Sequence, residues 1–479
     1  MLVLVIGYGV VGRSFVQFLT SDYGKHVMST RWCHGEPFDL MVWDKEPLKN
    51  EARSEIESVG GVVCDALTSS LEQVLTQADW ILPSPGVDLS AYPWCNAAIV
   101  CELDLLAACN RLPTVGITGS LGKTTITRLL GALADQLMGQ GVAQLPVAIG
   151  GNVGIGMLDI AAREHDFSAF IVELSSFQLE HNHTWAPDIA VWTNCFANHL
   201  DRHKTMHAYV LAKLNVMRHQ KKGQTALLAA CLCEGEVGDI IAAYWHELFA
   251  DVIIVDVERS RCVTAAERLG MCAGMVYCAY GQVVFEHNGF HTPLAASSDL
   301  SSTLTFMDNW LCVLAALYRL GVSSSFLYSW FCERGASFTL ANEDRCELVA
   351  TVRGVDFYND SKATVIQSTY AAAARLAAGA RPVIVILGGL GKGVDRAPLL
   401  KLLQGLSLVK KIYCFGPACH EFAAGAACYA TLDDVFDDLM ASVAFGDQVL
   451  FSPSGTSFDL YKNYHERGEH FKKLVAAFL

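Results

Sequence analysis

Pro113-Thr114-Val115-Gly116-Ile117-Thr118-Gly119-Ser120-Leu121-Gly122-Lys123-Thr124-Thr125 is the stretch on which the reading of this chain turns. It begins as a short apolar strand, passes through three glycines at a spacing of three, and enters Ile126-Thr127-Arg128-Leu129-Leu130-Gly131-Ala132-Leu133, which reads as a helix. A strand that turns tightly into a helix leaves the first helical N–H groups unpaired and aimed at the loop. Glycines let that backbone close around phosphate oxygens, and the helix N-terminus favours their negative charge. Lys123 then supplies a point charge for the β- and γ-phosphates, and the Thr124 hydroxyl can reach a Mg²⁺ ion. The strict phosphate-loop pattern wants a glycine at 117, where this chain has Ile117. The competing reading is a glycine-rich strand end that holds no ligand. The stretch is read as a nucleoside triphosphate site.

Outward from this loop, 479 residues exceed one ordinary domain, and at about 150 residues per domain they make about three. Hydrophobic residues make up 52% and charged residues 18%, which suits buried cores and not a disordered chain. A net charge of −14 argues against a duplex nucleic-acid partner. No apolar run approaches about 18 residues, so no membrane insertion is expected. Met1-Leu2-Val3-Leu4-Val5-Ile6 lacks a basic leader and runs directly into a glycine turn, so it reads as a buried strand and not a signal peptide. The 17 cysteines lie scattered in apolar contexts without a C-x-x-C pair, as small buried hydrophobes do in a reducing compartment. Cys231-Leu232-Cys233 is too isolated for a zinc site. A cytoplasmic location is expected.

At the N-terminus Gly7-Tyr8-Gly9-Val10-Val11-Gly12 follows a strand and precedes a helical run, and Met41-Val42-Trp43-Asp44 reads as a second strand ending in an acid. This G-x-G-x-x-G fits the dinucleotide fingerprint, although Asp44 lies beyond the usual spacing of about 20 residues. A nicotinamide oxidoreductase would leave the second phosphate loop unexplained. Residues 1–97 are therefore read as a Rossmann-like domain for a nucleotide-bearing ligand. In the middle, Ala169-Phe170-Ile171-Val172-Glu173 and Ile189-Ala190-Val191-Trp192-Thr193-Asn194 are strands, the second running toward Asn198-His199-Leu200-Asp201-Arg202-His203. Acids and histidines at the carboxyl ends of parallel strands stand where open α/β sheets bind ligands. Near 340 the pattern restarts, with Asp356-Phe357-Tyr358-Asn359-Asp360 a strand, 365–376 a helix, and Pro382-Val383-Ile384-Val385-Ile386-Leu387 a buried strand.

Taken together, these segments resemble the Mur ligases. The resemblance runs in order through Ser84-Pro85-Gly86-Val87, the loop 116–125, Gly150-Gly151-Asn152-Val153-Gly154, Glu173-Leu174-Ser175-Ser176-Phe177-Gln178-Leu179, His199-Leu200-Asp201-Arg202, Ala212-Lys213-Leu214, Asn359-Asp360-Ser361-Lys362-Ala363-Thr364 and 457–468. It implies an α/β chain of three domains: a Rossmann-like N-terminal domain (1–97) for the UDP substrate, a P-loop mononucleotide-binding central domain (98–339) for ATP, and a Rossmann-like C-terminal domain (340–479) for the amino acid. Within the family, 359–364 is similar to the member that adds D-glutamate to UDP-N-acetylmuramoyl-L-alanine. Folylpolyglutamate synthases place the ATP loop close to the N-terminus, whereas here about 115 residues precede it.

The implied reaction activates a carboxylate as an acyl phosphate, which an amine then attacks. By the resemblance the catalytic residues are Lys123, Glu173, His199 and Lys213. Two Mg²⁺ ions are expected on Thr124, Glu173, His199 and Lys213, the lysine being carbamylated. ATP falls to Gly116, Thr118, Gly119, Ser120, Gly122, Lys123, Thr124, Thr125, Asn309, Arg345 and Asp360. Val11, Ser84, Gly86, Asn152, His199, Lys362, Thr364, Lys392, Ser457 and Tyr464 fall to the UDP substrate and D-glutamate. The protein is expected to be a monomer.

Other readings compete residue by residue. Glu173 can cap the segment that follows it. His199, His203 and His207, at intervals of four, can form a zinc stripe on one helix. Lys213 alone is an ordinary lysine, and Lys392 alone a turn lysine. This chain also departs from the family pattern at Leu121, Leu390 and Cys312, and Asp44-Lys45-Glu46 lacks an arginine often found there. For the whole chain, the alternatives are an amide-forming ligase with a different amino acid, a non-catalytic nucleotide-binding relic, and the oxidoreductase.

Overall fold

β1 (Leu2–Ile6) is an unbroken apolar run with its last four residues buried, as a parallel strand covered on both faces requires. A computed structural model describes all residues except 139–144, 271, 303–304, 341–343, 392, 423–425 and 478–479, and the side chains of Ala97 and Met138. The chain divides into two units, Met1–Cys195 with Met206–Phe338, and Phe196–Thr205 with Thr339–Leu479.

The first unit carries two sheets. β1 lies between β2 (Asp39–Asp44) and β4 (Trp80–Pro83), with β3 (Val62–Asp65) outside β2 and every pair parallel. The second sheet contains β5 (Thr114–Thr118), β6 (Val147–Gly151), β7 (Ala169–Glu173), β8 (Ile189–Trp192), β9 (Thr225–Ala229), β10 (Asp251–Val255), β11 (Gly274–Ala279), β12 (Gln282–His287) and β13 (Phe290–Ala296). Its strand order is β13-β12-β11-β10-β9-β8-β5-β7-β6, parallel except for the meander β11-β12-β13. β5 is buried at all five residues and sits between β7 and β8, where the order of the chain reverses. Open sheets of this kind bind ligands at the carboxyl ends of their strands, at such a switch point.

The second unit holds β14 (Glu347–Val352), β15 (Val355–Asn359), β16 (Val383–Leu387), β17 (Val409–Phe415), β18 (Ala427–Tyr429) and β19 (Gln448–Phe451), in the order β14-β15-β19-β16-β17-β18. Only β14 is antiparallel to its neighbour. Both faces of this sheet are covered, one by a cluster with Phe357, Phe436, Phe451 and Phe471, the other by one with Leu387, Leu399, Leu403 and Leu450. The α/β class expected from the sequence is the class the chain adopts. Among the described residues no helix is long and apolar enough to cross a membrane.

Candidate active site

The phosphate loop forms because three of its positions tolerate no side chain. A Cβ on Gly116 would stand 2.8 Å from the Trp185 ring, one on Gly119 (φ +148°) 2.0 Å from Thr193 Oγ1, and one on Gly122 (φ +86°) 2.7 Å from Asn309 Oδ1. The helix Lys123–Met138 follows at once. The loop is pinned from β8: Leu121 N–H donates to Asn194 Oδ1 (2.8 Å), and Thr193 Oγ1 and Asn194 Nδ2 donate to the Leu121 carbonyl (2.7 and 3.2 Å). The sequence marked Asn194 only as a strand end, so these two holders of the loop were missed. Ser120 Oγ lies 3.0 Å from Tyr209 Oη, and Thr124 and Thr125 are buried in the first helical turn.

Two lysines meet on one carbonyl. Lys123 Nζ donates to Gly119 O (2.7 Å) and Ser120 O (3.3 Å), while Lys213 Nζ, from the helix Met206–Arg218, donates to Gly119 O (3.1 Å) and Thr118 Oγ1 (3.4 Å). Lys213 is 1% exposed and lies 4.8 Å from the centre of the Tyr209 ring. Burial, and then the neighbouring charge of Lys123, pull its ammonium down to about 7.

Glu173 ends β7, the strand beside β5, and is 1% exposed. Its Oε1 accepts from Asn152 Nδ2 at 2.9 Å, and its Oε2 is buried with no hydrogen-bond partner among the described residues. An unpaired carboxylate oxygen kept from water is costly unless a cation or donor joins it, and hard divalent ions prefer such ligands. Glu173 does not cap the next helix: Ser175 does, its Oγ accepting from Gln178 N–H (3.2 Å) and its N–H donating to Gln178 Oε1 (3.0 Å). Gly151 (φ +93°) lets Asn152 approach, since a Cβ there would lie 2.3 Å from Glu173 O.

At the end of β1 the loop Gly7–Gly12 is equally tight, a Cβ on Gly12 falling 1.8 Å from Gly7 O. Ser84 Oγ donates to that carbonyl at 2.7 Å. The Asp44 carboxylate accepts from the Tyr8 and Glu46 N–H groups (2.6 and 3.1 Å), so it braces this loop. Val11 is half-buried, and a Cβ on Gly86 would meet nothing. Ser84 lines a small cavity with Glu102, Phe177, Gln178 and His181. Burial, helped by the charge of Asp159, pushes the Glu102 carboxyl up to about 8.

His199 stands in the second unit with a left-handed backbone (φ +56°). The helix Leu200–His203 ends at Lys204 (φ +65°), and Met206–Arg218 is a new helix, so His199, His203 and His207 share no helical face. In the same unit Asp360 Oδ1 accepts from Cys346 N–H (3.2 Å) and Oδ2 from Ser452 Oγ (2.7 Å). Burial holds its carboxyl up at about 6 against the pull of Ser452 and Arg345. Lys362 Nζ lies 5.2 Å from the centre of the Tyr464 ring, and Ser457 is buried. Thr364 lines a cavity with Asn198, Arg396 and Ser454. Lys392 lies outside the described residues. Arg396 and the fully buried Arg467 bind the backbone of this region, and no sequence motif marks Arg396.

Comparison with known proteins places these segments in a family. Residues 117–253 match the Mur ligase middle domain. The UDP-N-acetylmuramoylalanine–D-glutamate ligase of Symbiobacterium thermophilum is 33% identical over 84% of this chain and 85% of that protein. The ligase of the same name from Vibrio cholerae is 29% identical over 99% of this chain and 97% of its own length. Among solved structures, the MurF ligase of Thermotoga maritima in complex with ADP shares the fold at a TM-score of 0.52 and 16% identity, covering 92% of this chain and 95% of that one. The chain belongs to the Mur ligase family.

Proposed function

We propose that this chain is an ATP-dependent ligase that joins D-glutamate to the alanyl carboxylate of UDP-N-acetylmuramoyl-L-alanine, as a cytoplasmic monomer supplying a peptidoglycan precursor. Relatives that match over 84% and 99% of its length are named for that reaction. The observation that carries the reading is the pair of lysines on Gly119 O, with a bare carboxylate oxygen of Glu173 on the adjacent strand. Residues 1–97 take the UDP portion through Val11, Ser84 and Gly86, and 98–339 take ATP. Residues 340–479 take the amino acid through Lys362, Thr364, Lys392, Ser457 and Tyr464, and Arg345 and Asp360 contribute to holding ATP.

A free carboxylate resists attack because its leaving group would be oxide. Its oxygen attacks the γ-phosphorus of ATP, ADP departs, and the acyl carbon then carries phosphate as a leaving group. The amine of D-glutamate attacks that carbon, phosphate leaves, and the amide forms with loss of a proton. Two anions must meet, so positive charge has to be in place beforehand. Lys123, fixed against the loop carbonyls, supplies part of it. Magnesium, when bound, neutralises triphosphate charge. Thr124, Glu173, His199 and Lys213 would hold two such ions, and Glu173 Oε2 fits that role because no described residue hydrogen-bonds to it.

Lys213 fits it only after modification. As an ammonium it is a buried cation beside a second cation, and it would repel a divalent ion. Its neutral amine can take up CO₂ and lose a proton, leaving an anionic carbamate. Burial and Lys123 both favour the neutral amine.

The test is release of ADP in the presence of UDP-N-acetylmuramoyl-L-alanine and a panel of amino acids. Turnover with D-glutamate alone is expected. Turnover with a different amino acid instead assigns the chain to another ligase of the family, and no turnover with any of them overturns the reading.

A further inference from the structure

The loops at the carboxyl ends of β16 and β19 are fastened to each other by an arginine that the mechanism does not use. Arg396 is 3% exposed, and its guanidinium reaches four acceptors. Nε donates to Glu421 Oε2 (2.8 Å), Nη1 to Gly388 O (3.1 Å) and Ser454 O (3.2 Å), and Nη2 to Gly389 O (2.8 Å). The group lies 4.3 Å from the centre of the Phe422 ring, so its remaining face is covered. Between the loops, Leu390 and Thr456 exchange backbone hydrogen bonds of 3.0 and 2.9 Å. A Cβ on Gly455 would come within 2.5 Å of Arg396 Nη1, so the contact depends on that glycine.

These loops lead into the proposed amino-acid site. One spans 388–391, the other 454–457, and Arg396 lines a cavity with Gly391, Ser454 and Thr364. A planar fork can hold three carbonyls and a carboxylate at fixed spacing, which a lysine ammonium cannot. We infer that Arg396, oriented by Glu421, is a positioning residue for the incoming amino acid, setting the distance between the loops 388–391 and 454–457 beside Thr364 and Ser457. This rests on the proposed function given above. The guanidinium acts through the loops and touches no substrate, so its loss acts on amino-acid binding and leaves the other two substrates unaffected.

The experiment is steady-state kinetics of Arg396→Lys and Glu421→Gln, with each substrate varied in turn and the melting temperature recorded. For Arg396→Lys the KM for D-glutamate should rise by about 10- to 100-fold, the scale of an ångström of misplacement, while KM for ATP and for the UDP substrate stay at wild-type values. Glu421→Gln keeps the shape but loses the charge, and should raise the same constant less. An unchanged D-glutamate KM in a variant that melts like wild type overturns the inference, as does a parallel rise in all three constants. Should Arg396→Lys fail to fold, Glu421→Gln decides by the same outcomes. A wild-type enzyme that uses a different amino acid overturns the proposed substrate instead, and Arg396 is then judged by the KM for that amino acid.

Discussion

Lys213 is held out of water against a second cation, its hydrogen bonds going to a carbonyl and a hydroxyl, and such a placement asks for chemistry that removes the charge. Arginine keeps the charge and forms no carbamate, so Lys213→Arg should lose about 10²–10³ in turnover. Labelled bicarbonate should give a carbamate carbon resonance in the wild type and none in this variant; full activity in Lys213→Arg would return the residue to an ordinary buried lysine. Glu102 makes a second prediction. Its folded carboxyl titrates near 8, above the ordinary value of 4.5, because burial penalises the anion. The protonated acid therefore favours the folded state fully below about pH 4.5, and that contribution is lost as pH rises through about 8. Glu102→Gln should flatten the fall in melting temperature between about pH 5.5 and 8, and equal slopes in the two proteins would refute the assignment. At this scale the sequence was unevenly legible. Lys123 was legible because a phosphate loop carries its lysine at a fixed offset from a glycine. Lys213 is an ordinary lysine in a helix until a family pattern is recognised. Arg396 and Asn194 act through backbone groups brought close only by folding, so no local pattern announces them.

The elements that build the site are strand ends, and their glycines explain why. Gly122 has φ +86° and faces Asn309 Oδ1 where a Cβ would come within 2.7 Å. Gly122→Ala would add about 1–2 kcal/mol of backbone strain and displace Asn309. Nucleotide affinity should fall about tenfold or more, since about 1.4 kcal/mol is tenfold, and titration with a fluorescent ATP analogue should show it. An unchanged affinity would mean that the loop relaxes freely. β5 and β7 were readable because each is a buried run closed by a turn or an acid, and β15 because its burial alternates along Val355-Asp356-Phe357-Tyr358-Asn359. The break at Lys204 was not, since no glycine or proline marks it and 199–209 suits a continuous helix. The hairpin strands β12 and β13 also escaped notice: the outer strand is largely exposed at its start, so its apolar signal is weak.

For the whole molecule, the two-unit division matters because one unit is discontinuous in sequence. Phe196–Thr205 is flanked on both sides by first-unit sequence yet packs with Thr339–Leu479, a Cβ on Gly393 lying 3.0 Å from Asp201 N. The ribosome makes chains from the N-terminus, and folding follows emergence at roughly 5–20 residues per second. The four strands β1 to β4 are all made by residue 83, with Ile99 and Val100 joining the edge at Ile81 soon after, and β5 finds both neighbours once residue 192 has emerged. The segment carrying His199 must instead wait for more than a hundred further residues before its packing partners exist. Ribosome-held chains halted just after Phe338 should therefore be nicked by protease between 196 and 205, whereas released full-length chains should resist there. Equal resistance of the two would show that the segment is already secured by first-unit sequence. In the cell, this order of synthesis leaves a newborn chain with its phosphate loop assembled and its histidine segment unsecured until the stretch from Thr339 onward has been made.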